Sequence, residues 1–188
     1  YHRMDHFSWT LGSFYESEDF NPNALGYLES PNEHTMFAEL EYELYEPFGR
    51  FNSMNWSLEL RNTRTVFPSA FQEVFVEFRW SMLTRNFQMI NLRFEGMPVD
   101  GADPFASRID GLNWLVPRWW GTGGWISTDY RKRVAVDFGT FTEWAPEYGD
   151  WRNLNVRIAP QFRFNDRFSI SYVAKQKRRA NERGFADV

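Results

Sequence analysis

Met54-Asn55-Trp56-Ser57-Leu58-Glu59-Leu60-Arg61 alternates apolar and polar side chains without a break. An extended backbone sends successive side chains to opposite sides, so a period of two marks a strand with one apolar and one polar face. The pattern recurs outward from this stretch. Between Glu73 and Met82, Val74, Val76, Phe78, Trp80 and Met82 oppose Glu73, Glu77, Arg79 and Ser81, with Phe75 an apolar residue on the polar side. Ile90, Leu92 and Phe94 oppose Asn91, Arg93 and Glu95. Leu154, Val156 and Ile158 oppose Asn155 and Arg157. Met36, Ala38, Leu40, Tyr42 and Leu44 oppose Glu39, Glu41 and Glu43.

About nine such segments follow one another, at 5–16, 34–46, 51–62, 70–83, 86–97, 117–128, 131–143, 151–163 and 167–176. Many run to about 10–13 residues, against about 5–6 for an ordinary strand. A tilted strand needs about 9–11 residues to cross a bilayer. The spacing predicts short turns at Glu46-Pro47-Phe48-Gly49-Arg50, Leu83-Thr84-Arg85-Asn86, Asp129-Tyr130 and Asn165-Asp166. Longer links are expected at 17–33, 63–69, 98–116 and 144–150, with a tail from 177. Short and long links alternate, and in an up-and-down meander alternate links emerge at opposite ends. Short turns at one end and long loops at the other are the habit of outer-membrane barrels. Aromatic residues near the short turns (Tyr42, Tyr45, Phe48, Phe51, Trp80, Phe87, Tyr130, Phe162, Phe164 and Phe168) read as an interfacial girdle.

Composition points the same way. Of 188 residues 19% are aromatic, and strands accept such side chains readily. Mean hydropathy is negative, and no stretch approaches the ~20 apolar residues of a spanning helix. A net charge of −4 supplies no global field for nucleic acid. The basic run Lys175-Gln176-Lys177-Arg178-Arg179 reads as a solvated strand end or loop, because no aromatic platform lies near it in the chain. The absence of cysteine removes disulfides, thiolate metal sites and thiol nucleophiles together. With Tyr1 at its start and no charged-then-apolar leader, the chain reads as a fragment: residues 1–188 are expected to be one segment of a larger barrel domain.

The polar side carries full charges of both signs. If the apolar side meets lipid, then Glu39, Glu41, Glu59, Arg61, Glu77, Arg79, Arg93, Glu95, Asp137 and Arg157 face a lumen. If the apolar side turns inward, the same charges meet bulk water and the chain is a soluble barrel. Alternation alone permits both orientations.

The loop after Pro98 is the richest candidate ligand surface, with Asp100, Asp103, Trp114, Trp119 and Trp120, and Trp125 close behind. Indole faces beside carboxylates suit sugar rings; the competing reading assigns these tryptophans to the girdle or a folded loop. Asp100 and Asp103 fall far short of the 6–8 oxygen ligands of a Ca²⁺ site, so no metal is expected. Catalysis has little support. Histidine occurs only at positions 2, 6 and 34, and no nucleophile elbow accompanies it. Gly121-Thr122-Gly123-Gly124 lacks the Lys-Ser/Thr ending of a phosphate loop, sits in strand-like sequence and reads as backbone crowding at a bend.

Four phrases carry a family resemblance: Asp19-Phe20-Asn21-Pro22-Asn23-Ala24-Leu25-Gly26-Tyr27-Leu28, Glu46-Pro47-Phe48-Gly49-Arg50, the Arg85-Asn86 turn, and Trp125-Ile126-Ser127-Thr128-Asp129-Tyr130-Arg131-Lys132. Together they resemble the barrel region called domain of unknown function 5916, found in large envelope proteins of Bacteroidetes-type bacteria. In that family a family-9-like carbohydrate-binding module usually precedes the barrel; it is absent from this sequence. The resemblance implies an outer-membrane location and a link to glycans, and brings no catalytic residue with it.

The expectation is an all-β, antiparallel up-and-down meander forming an incomplete arc of an outer-membrane β-barrel. Its expected partners are outer-membrane lipid, glycan and the remaining strands of the parent barrel, with no cofactor and no nucleic acid. The rival is a soluble lipocalin-like barrel around a small apolar ligand; an outer-membrane hydrolase comes third.

Overall fold

The computed structural model describes residues 2–19, 32–105, 112–147 and 149–181. The alternating segments become strands β1 (His2–Met4), β2 (Phe7–Tyr15), β3 (Glu33–Leu44), β4 (Phe51–Thr65), β5 (Ala70–Thr84), β6 (Met89–Met97), β9 (Trp119–Ser127), β10 (Val134–Ala145), β11 (Trp151–Asn165), β12 (Phe168–Ser171) and β13 (Ala174–Ala180). Between β6 and β9 lies a small hairpin, β7 (Gly101–Asp103) and β8 (Trp114–Val116). The described residues contain no helix, and the fold is all-β.

Eleven strands make one sheet in the order β1-β2-β3-β4-β5-β6-β9-β10-β11-β12, with β13 also paired to β11. Each neighbour is antiparallel, and only the β7–β8 hairpin interrupts the walk from one strand to the next. The last edge is one strand in two pieces. Gln161 faces Ser171 and Ile158 faces Ala174, so the register is unchanged across the break. Pro160 sits at that break: its carbonyl accepts from the Tyr172 N–H at 3.0 Å, but its ring nitrogen has no hydrogen to return. The nine long segments of the sequence thus become nine long strands, with β1 as a short addition at the opposite edge.

The links depart from the expected alternation: the long link at 144–150 spans only 146–150, no longer than the turns at 45–50 and 128–133. β4 continues to Thr65, so the link before β5 shrinks to residues 66–69. Thr65 closes it with its hydroxyl, which donates to the Pro68 carbonyl at 2.6 Å and accepts from the Ala70 N–H at 2.9 Å. The expected strict alternation of short and long links therefore softens; the extended ones are 16–32 and 98–118. The Pro-Asn phrase at 20–28 lies outside the described residues.

The distribution of burial inverts that of an ordinary domain. No large side chain among the described residues is fully buried, and the most shielded positions are largely polar: Ser8, Thr63, Gln72, Glu77, Asn91, Glu95 and Asn153. Glu77 is 3% exposed and Glu95 6%, whereas Leu60 is 50% exposed and Ile158 45%. No second layer covers most of the polar face. Its side chains shield one another because they converge, as they do on the concave side of a curved sheet, while the apolar ones splay outward on the convex side. The sheet curls around its charges.

Candidate functional site: the charged concave face

Register assembles this face. Glu39, Glu59, Glu77 and Glu95 stand directly opposite one another on β3, β4, β5 and β6. Beyond Gly121 the row continues with Glu143 and Asn153. Like charges side by side in a sheet repel, and arginines in the flanking rows offset that. Arg93 bridges Glu77, at 2.5 Å, and Glu95; Arg79 is the second partner of Glu77. Arg61 reaches Glu59 at 3.6 Å and Glu73 at 3.7 Å, and its guanidinium lies 4.6 Å from the centroid of the Phe75 ring. Phe75, an apolar residue on the polar side of β5, is the platform for that arginine. Farther along, Arg157 pairs with Asp137 at 3.4 Å, and Asp137 also accepts from the Tyr130 hydroxyl at 2.5 Å. All ten charged residues expected to line a lumen thus share one face, with Glu41 in the row of Arg79 and taking a hydrogen bond from Ser8 at 2.9 Å.

Among the described residues, two clefts open on this face. The larger, about 830 Å³, lies at the end away from the short turns, where β7–β8 folds over the start of β5. Phe14 and Phe37, stacked at 5.5 Å, form one wall, and Glu39, Glu59, Arg61 and Glu73 form its floor. Gly101 makes the fold-over close: a Cβ there would sit 2.2 Å from the Gln72 carbonyl. The second cleft, about 590 Å³, lies over β9, β10, β11 and β13. Among the described residues no group of three or more potential metal ligands is placed to hold an ion.

The loop residues singled out in the sequence scatter. Trp119 and Trp120 are consecutive in β9 and so face opposite ways. Trp119 sits on the concave face with its ring 6.3 Å from that of Phe75; Trp120 stacks on Phe94 at 5.2 Å on the convex face. Trp114 lies in β8 opposite Asp103, whose carboxylate accepts from the Phe105 N–H at 2.8 Å. Asp100 accepts from the Arg118 N–H at 2.7 Å. These two aspartates hold turns together, and the five residues share no single surface. Glu39, Glu59, Glu77 and Glu95 are among the charges expected on this face, but their alignment in one row, its continuation to Glu143 and Asn153, and the floor of the second cleft have no signal in the sequence, because only strand register brings such distant residues side by side.

A family model described as Domain of unknown function (DUF5916) matches residues 2–188. The chain belongs to this family. No curated protein and no solved structure matches it. Three of the phrases that resemble DUF5916 prove to be turn chemistry at one end of the sheet. In the first, Phe48 and Phe51 exchange backbone hydrogen bonds at 3.0 and 2.8 Å, with Gly49 at a φ of +48°. The Arg85 N–H donates to the Arg50 carbonyl at 2.9 Å and ties the second turn to the first. In the third, the Thr128 hydroxyl accepts from the Val136 N–H at 2.7 Å, and Asp129 accepts from the Arg131 N–H at 3.0 Å and from its guanidinium at 2.9 and 2.8 Å. Those bonds hold the Asp129 carboxyl down at about 2, below the ordinary 3.8. The Arg131 guanidinium in turn lies 3.4 Å from the centroid of the Phe87 ring in the neighbouring turn.

Proposed function

We propose that this DUF5916 chain is part of the wall of an outer-membrane β-barrel, with its apolar convex face on lipid and its charged concave face lining a wet lumen. The observation that carries the reading is the inversion of burial: carboxylates shielded, leucines and phenylalanines exposed. Such a surface is costly in water and natural in a bilayer. On β5 the outward residues Val74 to Met82 span about 26 Å along the strand, or about 20 Å upright at a tilt near 40°, close to the ~25 Å apolar band of such barrels. Phe7, Tyr42, Trp56 and Trp80 form one outward row, with Phe7–Tyr42 centroids at 4.8 Å and Tyr42–Trp56 at 6.0 Å, as a girdle would.

Among the described residues β1 pairs only with β2, and β12 and β13 only with β11. Open edges are not tolerated in hydrocarbon, so further strands of the parent barrel cover them in this reading. The job of such a wall is structural, solute-conducting or glycan-handling; the glycan element rests on the family resemblance alone. A lipocalin-like binder would need the apolar face to be the shielded one, the reverse of the observed burial. The test is extraction. The full chain should leave membranes only with detergent and should show heat-modifiable gel mobility. Release in salt or carbonate with unchanged mobility on heating would overturn the reading.

A further inference from the structure

The second cleft brings cations together over an aromatic floor. Its cations come from three strands. Arg157 on β11 faces Lys175 on β13, and Lys177 is the next inward residue of the same edge; Arg93 on β6 closes the far side. Arg157 and Lys175 are like charges directly opposite in an antiparallel pair, an arrangement that costs stability. Among the described residues neither Lys175 nor Lys177 has an ion-pair partner. Arg93 is committed to Glu77 and Glu95, and Asp137, the acid nearest Arg157, is already shared with Tyr130.

Between these cations the floor is aromatic. Trp125 faces Gly139, and Gly139 faces Arg157, so the indole and the guanidinium are separated by a residue without a side chain. Phe141 lies over Gly121 and Gly123, where added Cβ atoms would come within 2.9 and 2.7 Å of its ring. The Arg93 guanidinium is 5.7 Å from the centroid of the same ring. Glycines thus leave the trough open, and two rings pave it from Arg93 to the lysine edge, about 14 Å from Trp125 to Lys175 at ~4.8 Å per strand. The aromatic platform that the basic run lacks in sequence is supplied by β9 and β10.

We propose that this trough is a binding site for a small organic oxyanion: a phosphate or carboxylate carried on a flat or apolar body. Lys175, Lys177 and Arg157 take the anionic group, and Trp125 and Phe141 take the body. Charge-assisted hydrogen bonds to lysine and arginine are the strong ones for such anions, and an apolar floor with a few convergent polar groups is the common form of a small-molecule site. The inference rests on the concave face being wet, as in the proposed function, but not on the bilayer.

The probe is phenyl phosphate, titrated into the full chain in detergent at low salt and read by tryptophan fluorescence. Saturable quenching is expected, with the signal lost in Trp125→Phe. Binding should weaken about tenfold or more in the double variant Lys175→Gln/Lys177→Gln and persist in Lys175→Arg/Lys177→Arg. Inorganic phosphate should bind about tenfold more weakly, and neutral benzyl alcohol should not saturate. No saturation by about 10 mM, equal binding by the glutamine double variant, or binding of benzyl alcohol as tight as that of phenyl phosphate would each overturn the site. Both lysines point inward from β13 and hold no ion pair among the described residues, so their substitution removes no ion pair. Heat-modifiable mobility, read on the same samples, reports on the barrel wall separately.

Discussion

Arg93 shows most directly how single side chains hold this sheet together. Glu77 and Glu95 face each other on adjacent strands, both shielded, and Arg93 is the cation that touches both. Arg93→Ala would leave two shielded carboxylates opposed, with only Arg79 on one of them. Removing a partner from a buried pair is far costlier than never having had the pair; with the guanidinium itself half exposed, a loss of about 2 kcal/mol is expected. Arg79→Ala, which leaves Glu77 paired with Arg93, should cost less than about 1 kcal/mol. Urea unfolding of both variants in detergent checks the order, and equal costs would count against the bridging role. Glycine is needed for a different reason. At Gly123 a Cβ would sit 2.2 Å from the Thr140 carbonyl oxygen, a backbone atom that cannot step aside. At Gly121 its nearest neighbour is the tip of the Phe141 ring at 2.9 Å. Gly123→Ala should therefore destabilise by about 1–3 kcal/mol and Gly121→Ala by less, measured by the same unfolding.

Among the elements, the turn between β9 and β10 is the most tightly specified. Asp129 binds the backbone and guanidinium of Arg131, and Arg131 lies on Phe87 of the neighbouring turn. A folded-state pKa near 2 means that this carboxylate stabilises the fold in full above its unfolded value of about 3.8, and that the contribution disappears as pH falls through about 2. Asp129→Asn should thus be less stable than the native chain by a constant amount across pH 5–8, with the gap closing below about pH 4. Thermal melts over that range read it out; a gap that widens in acid would contradict the assignment. These turns were legible in sequence because Pro, Gly, Asn and Asp report their own backbone geometry locally. The link before β5 is shorter than its expected 63–69 because the outward positions of β4 after Leu60 are Asn62 and Arg64, so the apolar alternation stops before the strand does.

For the whole molecule, the orientation of the sheet decides everything that follows. Leu58 lies mid-way along the outward row of β4 and is 41% exposed; Ser57 beside it points to the concave face. Leu58→Arg should impair membrane insertion by about 2–4 kcal/mol if that face meets the middle of a bilayer, whereas Ser57→Arg should be tolerated. The heat-modified fraction of each variant after membrane extraction measures this. If Leu58→Arg were harmless and improved solubility in water, the convex face would be the wet one. The rows of charge likewise belong to the whole sheet, since each row takes one residue from each successive strand.

By itself the sequence determined the strands, their two faces, their order in a meander and the family phrases, because alternation and turn chemistry act between near neighbours in the chain. Tertiary structure decided which face is shielded, since that depends on the sense in which the sheet curls. It also decided which residues meet. The glutamate row, the arginine that bridges it, and the lysines that share a trough with Trp125 and Phe141 all depend on register between strands. A one-residue slip would reverse every one of those faces, and no local pattern records where the register settles.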